Sequence, residues 1–138
     1  LEQELKVTGP VTVTLWAATS ATDTDFTAKL VDVCEHGCSR NLTDGIIRAR
    51  YRDSVTSTSP VEPGKAYCYT IDLWATSNVF KKGHKIRLDL SSSNFPRFDR
   101  NPNTGNLVAE DSDLQAALQT VFHSNLHPSH IMLEVIPR

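Results

Sequence analysis

The stretch Val11-Thr12-Val13-Thr14-Leu15-Trp16-Ala17 alternates strictly, with Val11, Val13, Leu15 and Ala17 facing one way and Thr12, Thr14 and Trp16 the other. A repeat of two is that of a β-strand with one buried face; an amphipathic helix repeats every 3.6 residues. Working outward, the same repeat returns in Phe26, Ala28 and Leu30, in Ile47, Ala49 and Tyr51, and in Tyr67, Tyr69, Ile71 and Leu73. It closes with Ile86, Leu88 and Leu90 and with Ile131, Leu133 and Val135. Turn-forming residues bound these runs, notably the Gly37 turn, Asp44-Gly45 and the small, Pro-rich loop Thr56 to Gly64. About seven or eight strands are therefore expected. Each apolar strand face needs a second layer over it, so the fold class is all-β: a two-sheet antiparallel sandwich, most economically a jelly roll. Helical periodicity is confined to Leu114–Leu118, with Asp111-Ser112-Asp113 as N-cap candidates, and an irregular turn is expected at Asn78-Val79-Phe80.

The 138 residues suit one domain, 1–138, large enough to bury a core. A formal charge of −2 with scattered Lys and Arg excludes the clustered basic surface that nucleic-acid binding requires. No apolar run approaches the ~20 residues of a membrane span, and Leu1-Glu2-Gln3-Glu4-Leu5 lacks the basic-then-apolar order of a signal peptide. The chain thus reads as soluble, not membrane-bound, with the cytoplasm favoured over export. Lacking an initiator Met and entering a strand pattern almost at once, it reads as a fragment of a longer protein or as a processed product.

Three cysteines make no disulfide scaffold. Cys34 and Cys38 flank Glu35-His36-Gly37, and a three-residue hairpin loop ending in Gly sets them opposite each other on adjacent strands. Either they bond or they are two strand-end thiols. Cys68, between Tyr67 and Tyr69, is expected as a small buried or half-buried hydrophobe.

The connection Ser91 to Asp113 is longer than usual, and such loops tend to be functional or docked. It carries Phe95, Arg97, Phe98 and Arg100, residue types frequent as interface anchors, and these four are the candidate docking residues.

Catalytic motifs are missing. Gly37-Cys38-Ser39-Arg40-Asn41 lacks the closing Gly of a nucleophile elbow and lies in a hairpin. Asp113, His123, Ser124, His127, Ser129 and His130 are close in sequence, yet a triad is defined by geometry. The spacing His123-x3-His127-x2-His130 resembles a metal set, but Pro128 prevents a helix from presenting the imidazoles together and no Cys completes it. No catalytic residue, metal or cofactor is assigned. His84, Asp25, Asp32, Tyr51, Arg52 and Asp89 are expected as hydrogen-bonded pairs that fix loops at the ends of the sandwich. Asn41-Leu42-Thr43 matches a glycosylation sequon.

Several segments in order resemble one family: Val7-Thr8-Gly9-Pro10-Val11-Thr12-Val13, Asp23 to Val33, Asp44 to Arg52, Gly83-His84-Lys85-Ile86-Arg87-Leu88, Ser93 to Asn101 and Pro128-Ser129-His130. From about Leu5 to Pro137 the chain resembles the C-terminal domain of the cocaine esterase and X-Pro dipeptidyl-peptidase family of serine hydrolases. The resemblance implies a jelly roll of the galactose-binding-like type that follows an α/β-hydrolase domain with a helical cap. It places the Ser-Asp-His triad upstream, and so implies an accessory domain packing on the hydrolase and cap, in some members with a share in dimer contacts. The parent would hydrolyse esters, amides or X-Pro peptides. The paired cysteines depart from the acidic or small residues usual at that loop, which strengthens the case for a disulfide particular to this chain. A second reading is an autonomous carbohydrate-binding module with Trp16, Trp74 or Tyr51 as its aromatic platform.

Overall fold

Strand β1 (Leu5–Thr19) is the axis of the computed structural model, which describes residues 1–108 and 110–137. On one side it pairs with β4 (Tyr67–Phe80), with Thr12 opposite Asp72 and Thr14 opposite Thr70. On the other it pairs with two short strands, β6 (Gln119–Val121) along its end and β9 (His130–Val135) along its middle. Between them the hairpin β7 (His123–Ser124) and β8 (His127–Pro128) leaves the sheet, while Phe122 N–H donates to Trp16 O and Trp16 N–H to Ser129 Oγ. The second sheet has the order β3-β2-β5, from β3 (Ser39–Arg48), β2 (Asp25–Val33) and β5 (Lys85–Ser91). All pairings are antiparallel, and the two sheets form the expected sandwich.

The core follows from the alternation. Val7, Val11, Val13, Leu15 and Ala17 of β1 face Phe26, Ala28 and Leu30 of β2 across the interior, joined by Tyr69, Ile71 and Leu73 of β4. Full burial of an aliphatic or aromatic side chain is worth about 1.5–3 kcal/mol, and these residues are almost completely inaccessible. Phe26 and Tyr69 meet with ring centroids 4.9 Å apart. Burial pushes the Tyr69 phenol up to about 12.

Asp44-Gly45, expected as a turn, lies within β3. There the second sheet runs so close to β4 that a Cβ on Gly45 would stand 2.1 Å from Asp72 O, so glycine serves close approach, not a turn. Thr43 Oγ1 donates to Leu73 O at the same corner. The strand expected through Tyr51 ends at Arg48 and gives way to a 3-10 turn, Ala49–Tyr51, because Ala49 N–H donates to Thr24 O and Arg50 N–H to Asp23 Oδ1. Asn78-Val79-Phe80 is no turn: it belongs to β4, opposite Leu5, Lys6 and Val7. Leu114–Leu118 is not helical either. Its backbone bonds outward, Gln115 N–H to Pro102 O and Leu118 N–H to Ser20 Oγ, in place of the i−4 carbonyls.

Glu35-His36-Gly37 forms the three-residue loop, with Cys34 N–H donating to Cys38 O and Gly37 at φ +86°. The Cys34 and Cys38 Cα atoms are 5.2 Å apart and their sulfurs adjoin. Cys68 is exposed, contrary to expectation, since in β4 it faces outward opposite Trp16 while Tyr69 faces the core. No helix among the described residues is long and apolar enough to cross a membrane.

Candidate docking surface

The long connection between β5 and β6 is built in two halves. Its inner half is fastened by a buried ionic cluster. Asp25 and Arg48 are cross-strand partners on β2 and β3, and Arg48 Nε and Nη2 reach the two Asp25 oxygens at 3.1 and 3.3 Å. Two residues away on each strand end, Arg50 Nε and Nη2 hold Asp23 Oδ2 at 2.8 and 2.7 Å. The two carboxylates are almost wholly buried, and the two guanidiniums neutralise them. Asn101 Nδ2 then donates to Asp23 Oδ2 and to Asp25 Oδ1, both at 2.8 Å. One amide thereby ties the loop to both strands. Burial raises the Asp25 carboxyl above its usual range, against the opposing pull of Asn101 and Arg48.

From this anchor the loop folds on itself. Asn103 N–H donates to Asn101 Oδ1, and Arg50 Nη2 to Asn106 O at 2.7 Å. Asp111 accepts from the Thr104 hydroxyl, from Asp113 N–H and from the Asn106 amide, which together hold its carboxyl below the usual range. Pro102 is buried. The signal was present in the sequence: Asp23-x-Asp25 and Arg48-x-Arg50 repeat one spacing with opposite charge, but only Asp25 of the four was singled out.

The outer half carries the four candidate docking residues, and the structure divides them. Arg97 Nε reaches back to Asp44 Oδ1 at 3.0 Å, beside Asn94 Nδ2 on Asp44 Oδ2. Phe98 is half-buried and lines a groove of about 380 Å³ with Ile46, Arg48, Tyr51, Arg97 and Asp99. Both side chains engage this domain's own sheet. Phe95 is 61% exposed, and the guanidinium of exposed Arg100 sits 5.1 Å from its ring centroid. Phe95 and Arg100 are the pair directed outward.

Further exposed apolar side chains lie outside the four candidate docking residues. Leu114, Leu118, Leu126 and Met132 are all more than half exposed in the segment that ends the chain. At the β7–β8 hairpin Trp16 meets His127 at 4.8 Å, and His127 meets Phe122 at 5.2 Å.

The remaining candidates are placed apart. Ser129 Oγ accepts from Trp16 N–H, Ser124 Oγ from His127 N–H, and His130 Nδ1 meets Pro128 O at 2.7 Å, so the serines and histidines serve the β7–β8 hairpin. Among the described residues, no group of three His, Cys, Asp or Glu is arranged to hold a metal ion. His84 Nδ1 meets Asp32 Oδ1 at 2.8 Å, Arg87 pairs with Asp89, and Arg52 donates to Ser59 O and covers the Tyr67 ring. Asn41 is exposed on β3. Trp16 lies on the outer face of β1, Trp74 is 71% exposed on β4, and Tyr51 lines the Phe98 groove, three separate places.

Residues 1–132 match the X-Pro dipeptidyl-peptidase C-terminal non-catalytic domain. The chain belongs to that family. It is 46% identical to a cocaine esterase of Rhodococcus sp. (strain MB1 Bresler) over 140 aligned residues, covering 100% of this chain and 24% of that protein. Solved structures share its fold. An aminopeptidase from a marine-sediment Thaumarchaeota archaeon superposes with a TM-score of 0.94 at 31% identity, covering 99% of this chain and 24% of that one. An α-amino acid ester hydrolase superposes with a TM-score of 0.91 at 32% identity, again over 99% and 24%. The chain thus spans about a quarter of the length of these relatives, and the family to which it belongs is non-catalytic.

Proposed function

We propose that this domain is the C-terminal accessory part of a serine hydrolase acting on esters, amides or X-Pro peptides, and that it packs on the hydrolase and cap domains upstream. The relatives support this reading, since an esterase, an aminopeptidase and an ester hydrolase each carry the domain as a quarter of their length. The observation that carries it is the division of the long loop: an inner half locked by Asn101 to two buried carboxylates, and an outer half that holds Phe95 and Arg100 in solvent. Rigid support beneath an exposed aromatic and arginine is how an interface anchor is preorganised. In this reading the sandwich is a jelly roll of the galactose-binding-like type, residues 1–138 are the C-terminal portion of the parent, Cys34 and Cys38 are disulfide-bonded, and the domain contributes to a homodimer.

Phe95→Ala tests it better than Phe98→Ala, because Phe98 also packs on this domain's own sheet. In the intact parent, Phe95→Ala is expected to lower the melting temperature and to free the domain for limited proteolysis, whereas Thr56→Ala in the surface loop leaves both unchanged. Identical melting curves for the two variants would refute docking through this loop. The parent's sequence gives a separate check: a Gly-x-Ser-x-Gly elbow followed by Asp and His must precede Leu1.

A further inference from the structure

The two ends of the sandwich are closed to different degrees. On the β3–β4 side the sheets are joined: Thr43 Oγ1 donates to Leu73 O, Gly45 lies against Asp72, and Arg40 Nη2 donates to Asn78 Oδ1 at 2.6 Å. The β5 side is open. β5 pairs with β2 from Thr27 opposite Ser91 to Val33 opposite Lys85, and no strand among the described residues pairs with its other edge. Across the interior lies the β6–β9 edge of the first sheet. The inward side chains along this seam, Leu88 and Leu90 of β5 and Ile131 and Leu133 of β9, are only half-buried. Val121 and Val135 are exposed although their cross-strand partners Ala17 and Val7 are fully buried. An edge of unpaired N–H and C=O groups above half-covered aliphatic side chains is a surface that folded proteins cover.

The place where the polypeptide comes in indicates what covers it. The backbone nitrogen of Leu1 donates to His84 O at 2.8 Å, and Gly83 N–H donates to Leu1 O at 2.9 Å. Leu1 is therefore fixed at the turn that leads directly into β5. The chain belongs to a C-terminal domain family and spans 24% of its relatives, so in a protein of that plan most of the polypeptide arrives at this point.

We propose that the residues immediately preceding Leu1 form a strand that pairs with the free edge of β5 and roofs the seam between β5 and β9. Recognition is by the backbone ladder of β5 on one side and by alternate apolar side chains laid over Leu88, Leu90, Ile131 and Leu133 on the other. The folded unit then begins before Leu1. This holds whatever reaction the parent catalyses.

The test uses the intact parent. Hydrogen exchange of the unmodified protein is read amide by amide over Lys85–Ser91. Every second amide of β5 points away from β2, and these are expected to exchange about a hundredfold or more slower than loop amides. Exchange at the loop rate overturns the proposal. A photoreactive benzoylphenylalanine at Lys85 then identifies the neighbour: adducts within about 30 residues before Leu1, room for several strands and their connections, support it. Adducts to more distant parts of the same chain or to a second copy overturn it while leaving the hydrolase reading intact. Should the Lys85 variant fail to fold, the same probe at exposed Arg87 on β5 takes its place, read against the same outcomes.

Discussion

Strands β1 and β2, which face each other across the interior, and the segment that ends the chain are opposites in burial. From Val11 to Asp32 most residues are buried, polar ones included, whereas none of the described residues from 103 to 137 is. Composition does not explain the difference, because the late segment holds Leu107, Leu114, Leu118, Val121, Phe122, Leu126 and Met132. The early strands find their partners within this chain. The late segment has apolar side chains in the number a core requires but lacks the layer to bury them. Such asymmetry is what a domain shows when part of its surface belongs to an interface.

The largest expected effect separates the two regions directly. Leu30→Ala in β2 removes a fully buried side chain and is expected to destabilise the chain by about 2–5 kcal/mol, read by urea unfolding. Leu118→Ala, at 74% exposure, should stay within about 0.5 kcal/mol. Equal losses at the two positions would break the comparison, since they would require Leu118 to be packed.

The second prediction concerns the joint between the regions. Asn101→Ala leaves the Asp23 and Asp25 carboxylates each short of a donor, an expected loss of about 1–3 kcal/mol, and should open the loop to protease between 92 and 118. Its pH dependence has a definite sign. The Asp25 carboxyl is raised in the folded state, first by burial, so between its ordinary value and the raised one the native state binds more protons than the unfolded state. The Asp25 contribution to stability is then least at neutral pH and improves as pH falls through that window. Asn101 is among the groups pulling this carboxyl down, so its removal raises the carboxyl further and extends the window upward. The gap between wild type and Asn101→Ala should therefore narrow from pH 7 toward about pH 4. A gap that widens on acidification would place the loss elsewhere than at Asp25.

Alternation made both sheets legible from the sequence, because a side chain's face in a strand follows from its position alone. Contacts decided by the approach of distant segments were not legible. Asp44-Gly45 has turn composition, yet β4 passes so close that glycine is needed inside the strand. Leu114–Leu118 has helical spacing, but Ser20 and Pro102 take up its backbone groups first. The long loop was found as a candidate surface from Phe95, Arg97, Phe98 and Arg100, while its split into a locked and an outward half depends on Asp23, Arg50 and Asn101, which are far apart in sequence.

The smallest expected effect lies within the buried region and sharpens what burial means there. Tyr69 is fully buried on β4 against Phe26, and among the described residues its hydroxyl has no hydrogen-bond partner. A buried donor without an acceptor destabilises the fold, so removing the hydroxyl while keeping the ring is expected to be neutral or stabilising by up to about 1 kcal/mol. Tyr69→Phe should thus match or exceed the wild-type midpoint in urea, although the residue is more buried than any in the late segment. A loss of more than about 1 kcal/mol would show that the hydroxyl is bonded in solution. The stability of the early strands would then depend on a polar contact as well as on apolar packing.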